Sequence, residues 1–365
     1  MAKNWLTKLN NLEGAVIDDY NPYNHVLQSP SPSLNFTFGR GHGLPFGYTA
    51  IFFGPPGGGK SVVANSMIGQ LHSDDPEAIA VKFNTEFREK IQLTPEQMKL
   101  MGIDRERYVP YETNDPVLIF DRINNDINAM CQEGAPIKLI IIDSINSIVG
   151  RRTMNADSLG VQQIGDLAAT LQDGLKQILS TIRNNKIAVI LTAHIRAEMD
   201  QQEIKRHNTV KMGAGYGVKH NAEYFVYIEQ NRNKDGRTDL MGNEFVDDSC
   251  RDINDNSEKT GHKIRVCMKK SSVGVAGRVG EFTFNYNKGI INTHEEVFLL
   301  GANRGIIERV NNMTYAFKDK KWTGKQSVLE AIRTDTDLQK AILSELKQRE
   351  ASGAFAAEDV DAEDA

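Results

Sequence analysis

The stretch Gly54-Pro55-Pro56-Gly57-Gly58-Gly59-Lys60-Ser61 follows an apolar run, precedes a helical pattern and fits the spacing G-x-x-x-x-G-K-[ST]. A chain with this stretch is committed to a strand, a tight glycine turn and a helix in immediate succession. The glycines let backbone N–H groups turn inward around phosphate oxygens, and the helix that follows adds the positive end of its dipole. In that setting Lys60 reaches the β and γ phosphates and Ser61 holds Mg²⁺, so ATP and Mg²⁺ are the implied ligands.

The surrounding pattern fits a sheet that presents such a loop. Apolar runs at residues 48–53, 78–83, 139–143 and 188–192 alternate with helical stretches, as expected of parallel strands covered by helices. Ile119, Ile123, Ile127 and Met130 mark one core-facing helix stripe; Leu167, Leu171, Leu175, Ile178 and Ile182 mark another. Runs at residues 224–229, 263–269 and 281–286 follow without a long helix between them, which predicts an antiparallel extension of the sheet. The fold class expected is α/β.

Residues 1–40, with an amphipathic start (Trp5, Leu6, Leu9, Leu12) and a Pro, Ser and Asn rich connector, are expected to form an arm for protomer contact. The core is expected over residues 41–295. A small α+β unit containing Tyr315, Phe317 and Trp322 is expected over 296–349, with helices near 326–333 and 338–346. Residues 350–365 carry six acids and no Lys or Arg, too few bulky apolar groups to offset ordering entropy, and are expected to be disordered.

Without those six acids the formal charge moves from −5 to +1, and residues 231–262 hold another acidic excess, so the remainder is mildly basic. That distribution keeps a nucleic-acid partner open. Cys131, Cys250 and Cys267 lie far apart, which argues against a disulfide framework or a zinc site. No run of eighteen uncharged apolar residues appears, and the start lacks a secretory signal, so a soluble cytoplasmic protein without a membrane partner is expected.

Asp143 ends the apolar strand Leu139-Ile-Ile-Ile-Asp143, where the second carboxylate on the metal side of a phosphate-loop enzyme belongs. Glu86 follows the 78–83 strand and is a candidate to orient and activate water, or else a surface carboxylate in a polar turn. His194 ends the 188–192 strand, at the edge where open α/β sheets bind ligands; it either senses the γ-phosphate or is a satisfied structural histidine. Beyond these strands lie two basic segments. The first carries Arg151 and Arg152; the second carries Arg196, Lys205, Arg206, Lys211, Gly213, Gly215 and Lys219. Basic side chains on a long, glycine-rich loop at the nucleotide edge suit contacts to a nucleic-acid backbone, with ordinary solvated loops as the alternative.

The order of these features resembles the RecA family of DNA strand-exchange recombinases. The resemblance runs from Gly43-Leu-Pro-Phe-Gly47 through Glu86 in Asn-Thr-Glu-Phe, Gly102-Ile-Asp104, Asp143-Ser144 and Ile164-Gly-Asp-Leu-Ala-Ala169. It continues through Leu299-Leu-Gly, Tyr315, Lys321, Gly324 and Lys325 of a small C-terminal domain. His194, where bacterial members carry Gln, and the loop Lys211-Met-Gly-Ala-Gly-Tyr-Gly217 look closer to phage recombinases of the UvsX kind, which would place the protein in a bacterial host's cytoplasm.

By that resemblance Lys60, Ser61 and Asp143 hold MgATP, Glu86 activates water, His194 couples the γ-phosphate to the two basic loops, and Lys269 and Lys270 reach ATP in a neighbouring subunit. Gln97 stands where many members place an aromatic ring over adenine, and the acidic stretch at 231–262 is longer than the bacterial connection. The implied activity is DNA-dependent ATP hydrolysis coupled to homologous pairing. The implied partners are single-stranded DNA, duplex DNA, further copies of the chain in a helical filament, a recombination mediator and a single-strand-binding protein. A hexameric helicase of the same fold and an ATP-dependent assembly module without DNA activity are the competing readings.

Overall fold

The computed structural model describes residues 8, 21–39, 41–154, 165–197, 210–212, 218, 221–231, 237–238, 261–272, 274, 276–285 and 289–352. The amphipathic start at Trp5 to Leu12, apart from Lys8, most of the 231–262 stretch and residues 353–365 lie outside that set.

The central sheet is built from β1 (Thr49–Gly54), β2 (Ile79–Asn84), β3 (Tyr108–Glu112), β4 (Ile137–Asp143), β5 (Ala188–Ala197), β6 (Tyr224–Gln230), β7 (Gly261–Ser271), β8 (Val279–Asn285) and β9 (Gly289–Ile291). Their spatial order is β9-β8-β7-β6-β1-β5-β4-β2-β3. The six strands from β6 to β3 pair in parallel. β7, β8 and β9 continue the sheet antiparallel.

β6 therefore departs from the sequence expectation: it runs parallel to β1, with Ala50 beside Tyr224 and Phe53 beside Tyr227. A parallel partner needs a return connection of about a dozen residues or more, and the long segment between Ala197 and Tyr224 supplies that length. The antiparallel expectation holds for β7 and β8.

Alternation along the buried strands sends neighbouring residues to opposite faces. Ala50, Phe52, Ala80, Leu139, Ile141, Ala188 and Ile190 pack on one side with Val63, Met67, Ile68 and Leu71 of α1 (Lys60–Asp74). Ile51, Val81, Phe83, Ile140, Ile142, Val189 and Leu191 pack on the other with Leu171, Leu175, Ile178 and Ile182 of α2 (Asp166–Asn184). Leu167, expected in the same stripe, is partly buried against that core.

The helical stretch from Pro116 to Gln132 also covers this second face, capped by Asp115, whose carboxylate accepts from Val117 N–H. Its middle, Arg122–Ile127, is a π-helical turn. The wider turn slips the helical phase after Ile123 and Ile127, so Met130 faces solvent and does not extend the core stripe expected of it.

The C-terminal unit packs α3 (Thr293–Asn303), α4 (Lys325–Thr334) and α5 (Thr336–Ala351) against an antiparallel sheet of β10 (Glu308–Arg309), β11 (Thr314–Phe317) and β12 (Lys320–Thr323). Phe36, from the helix Pro32–Thr37, is buried in the same cluster. The second half of the expected arm is thus packed into the molecule: Leu34 and Phe38 belong to the central core, and Ser31 caps its helix by accepting from Leu34 N–H. Glu350, expected in the acidic tail, sits near the end of α5, where its carboxylate meets Arg278 and His42. Its negative charge is held by a buried His42 and a partly buried Arg278, which the tail's composition could not reveal.

Candidate nucleotide site

Because β1, β2, β4 and β5 are parallel, their C-terminal ends open on one edge of the sheet, where ligands bind in folds of this type. Register fixes the neighbours: Gly54 lies beside His194, and Asn84 beside Asp143. Around this edge a cleft of about 400 Å³ is lined by Pro56, Gly57, Gly59, Lys60, Ser61, Glu86, Arg88, Gln92, Asp143, Thr192, His194, His262 and Phe284.

The glycine turn is shaped by what surrounds it. A Cβ on Gly54 would come 1.9 Å from the carbonyl oxygen of Ile228 in β6, so only glycine lets β1 and β6 approach as they do. Gly59 adopts φ +96°, and a Cβ there would meet Ile264 Cδ1 at 2.6 Å. Lys60 opens α1 and is nearly fully buried. Its Nζ donates to the carbonyl oxygens of Gly54 at 3.1 Å and Pro55 at 2.8 Å. Burial lowers the Lys60 pKa, while the carboxylates of Asp143 and Glu86 push it back up.

Ser61 Oγ donates to Asp143 Oδ1 at 3.1 Å, and Thr192 Oγ1 donates to the same oxygen. Asp143 Oδ2 is buried and makes no hydrogen bond among the described residues. A hydroxyl and a carboxylate, one oxygen of it unsatisfied, beside a turn that excludes side chains are the donor set a magnesium nucleotide requires. Glu86 Oε1 lies 3.2 Å from His194 Nε2 and Glu86 Oε2 lies 3.7 Å from Arg88. The His194 backbone N–H is held by Asn146 Oδ1 at 2.6 Å. A carboxylate so placed can orient a water at the cleft mouth, and the imidazole beside it links that position to the end of β5.

The expected site residues divide by location. The turn from Gly54 to Ser61, Glu86, Asp143 and His194 come together at this edge. Lys269 and Lys270 do not line the cleft. They lie at the opposite end of β7, where Lys270 Nζ donates to Ala222 O at 3.3 Å and Lys269 stands 5.8 Å from the Tyr227 ring centroid. Arg151 and Arg152 are exposed on the turn Arg151–Met154, whose backbone N–H groups at Arg152 and Thr153 donate to Asp166. Arg196 is exposed at the end of β5, where its backbone pairs with Lys211. Lys205, Arg206, Gly213, Gly215, Lys219 and the Lys211 side chain lie outside the described residues.

Gln97 is outside the cleft lining, and its side chain closes a capping box with Thr94. Thr192, Gln92, Arg88, His262 and Phe284 were not anticipated. Thr192 ends a run already read as a strand, two residues before His194. His262 and Phe284 carry no local signal, since only the pairing of β7 and β8 brings them here.

A family model described as the RecA N-terminal domain matches residues 16–246, more than half of the chain. A RecA protein from Oleidesulfovibrio alaskensis is 21% identical over 333 residues, covering 90% of this chain and 84% of its own. Another from Nocardia farcinica is 22% identical over 342 residues, with 93% and 86% covered, and one from Thermus aquaticus 20% over 324, with 89% and 85%. The family match spans the glycine turn and the ends of β1, β2, β4 and β5 that carry the cleft, and the chain belongs to the RecA family.

Proposed function

We propose that this protein is an ATP-dependent homologous recombinase of the phage UvsX kind, which polymerises on single-stranded DNA and pairs it with homologous duplex. The observation that carries the reading is the meeting of Lys60, Ser61, Asp143, Glu86 and His194 around one cleft in a RecA-family chain.

Lys60 and the backbone N–H groups of the turn take the β and γ phosphates, and the ammonium exchanges two neutral carbonyl partners for charge-assisted bonds. Ser61 and Asp143 hold Mg²⁺, which when bound neutralises phosphate charge. Glu86 positions the attacking water. His194, bonded to Glu86 and tethered through its backbone to Asn146, relates the γ-phosphate position to the segment that follows β5. That segment, with Arg151, Arg152 and Arg196, contacts DNA phosphates. Lys269 and Lys270, remote from the cleft of their own chain, act on ATP held by the adjoining subunit of a filament. A recombination mediator and a single-strand-binding protein are the expected accessory partners.

The test is ATP turnover with and without single-stranded DNA in the wild-type chain and in Lys60→Ala. Loss of a donor aimed at developing phosphate charge lowers kcat by roughly 100-fold or more. DNA-stimulated turnover in the wild type that collapses in Lys60→Ala supports the assignment, and turnover that survives the substitution refutes it.

A further inference from the structure

A lysine stands in the middle of a buried strand. Lys82 of β2 is fully enclosed, with 0% of its surface exposed, between core residues Val81 and Phe83. A charge so placed persists only if it is paired and hydrogen-bonded. Its Nζ lies 2.9 Å from Glu89 Oε2 and 3.7 Å from Asp143 Oδ2, and it donates to Asn65 Oδ1 at 3.1 Å. These partners come from three elements around the cleft: Glu89 from the short helix Glu89–Gln92 that follows the Glu86 loop, Asp143 from the end of β4, and Asn65 from α1.

The connections go further on the Glu89 side. Glu89 accepts from Tyr108 Oη and, at 2.9 Å, from Asn84 Nδ2. The other end of the Asn84 amide, Oδ1, accepts from the backbone N–H of Glu86 at 3.1 Å. One ammonium thus ties the Asp143 carboxylate to the loop that presents Glu86, across the width of two strands.

We propose that Lys82 is a positioning residue for ATP hydrolysis, holding Asp143 and the Glu86 loop in one registered network and setting the negative charge available to the divalent cation. The inference rests on the ATPase reading above. Lys82 is fully buried and is not among the residues that line the cleft. It acts through Glu89 and Asn84 on Glu86, and through space on Asp143 Oδ2, the carboxylate oxygen that makes no hydrogen bond among the described residues. Removing the ammonium releases the register of the two carboxylates and leaves Asp143 a stronger attractor of cations.

Lys82→Met alone strands a buried Glu89 carboxylate, so the informative variant is Lys82→Met/Glu89→Gln, which removes both charges at similar volume. Three quantities are measured: cooperative thermal melting, fluorescence-detected binding of a nonhydrolysable ATP analogue as Mg²⁺ is titrated, and kcat and KM for ATP. The expected double variant melts cooperatively and keeps the wild-type KM. Its kcat falls by about 10- to 100-fold, the usual cost of losing a group that orients a metal ligand, and it needs less Mg²⁺ for half-saturation of analogue binding. A wild-type kcat, or an unchanged Mg²⁺ requirement, overturns the proposal.

Asn65→Ala, which keeps both charges and removes one hydrogen bond to Lys82, repeats the test if the double variant does not fold. It lowers kcat at constant KM if Lys82 positions the site, and leaves kcat alone if it does not. A wild-type chain that melts cooperatively and turns over no ATP removes the ATPase reading itself, a result distinct from a loss confined to these variants.

Discussion

Two carboxylates at the cleft sit in different company, and their surroundings separate their roles. Asp143 is 4% exposed, bonded by Ser61 and Thr192 and faced by Lys82, as suits a group that holds a cation. Glu86 is more open, with its side chain 21% exposed and His194 as its close partner, as suits a group that must meet water. Glu86→Gln is expected to leave nucleotide binding in place and to lower kcat by roughly 100-fold or more, as loss of a general base does. Equilibrium binding of a nonhydrolysable analogue beside steady-state turnover separates the two effects, and a kcat within the wild-type range would place the base elsewhere.

At this scale the sequence was readable where spacing encodes chemistry, in the glycine turn and in the carboxylate ending an apolar run; His194, expected to end its strand, lies three residues before the end of β5 at Ala197. It was silent on Thr192 and Glu89 because their importance lies in partners that only strand register supplies. Lys82 was visible as a charge within Ile-Ala-Val-Lys-Phe, yet nothing local says whether such a lysine faces water or a buried carboxylate.

Between elements, two glutamates, Glu296 buried and Glu350 partly buried, join the C-terminal unit to the rest of the molecule and respond to pH in opposite directions. Glu296 of α3 accepts from Ser31 Oγ at 2.5 Å and Ser33 N–H at 2.9 Å. Burial dominates there and pushes its pKa up to about 8 from an ordinary 4.5, the bonds from the two serines offsetting only part. Folding therefore raises this pKa: the contribution is full below pH 4.5 and is lost as pH rises towards 8.

Glu350 of α5 is also pushed up by burial, but the bonds from His42 and Arg278 outweigh it and bring the carboxyl down to about 2. Its contribution is full above pH 4.5 and disappears as pH falls towards 2. The melting temperature of Glu296→Gln should accordingly decline less than that of wild type between pH 5 and pH 8. Parallel declines would mean that Glu296 does not govern the alkaline side.

Two core-facing helices were legible from their apolar stripes, and departures arose where geometry overrides periodicity: the π-helical turn that exposes Met130, and the parallel placement of β6 made possible by a long connection. The burial of Phe36 and the pairing of Glu350 with His42 and Arg278 could not be read from segments whose composition is that of a linker and a tail.

For the whole molecule, the family follows from the extended match and the fold, whereas recombination depends on surfaces that work only in an assembly. A formal charge of −5 suits a DNA-binding protein because the acidic excess lies in residues 231–262 and at the C-terminal end, leaving the rest mildly basic. Among the described residues no helix is long and apolar enough to cross a membrane. Sequence order revealed the sheet-and-helix alternation and the nucleotide edge. It could not reveal which surfaces meet DNA or a second copy, since contacts between chains leave no periodic trace in either.

The most direct test mixes the full-length chain and ATP with circular single-stranded DNA and a linear duplex, either homologous or unrelated, and resolves the products on a gel. The account predicts joint molecules with the homologous duplex alone, dependent on ATP and absent with Lys60→Ala. Failure with both duplexes while the wild-type chain hydrolyses ATP, or equal products with both, would contradict it.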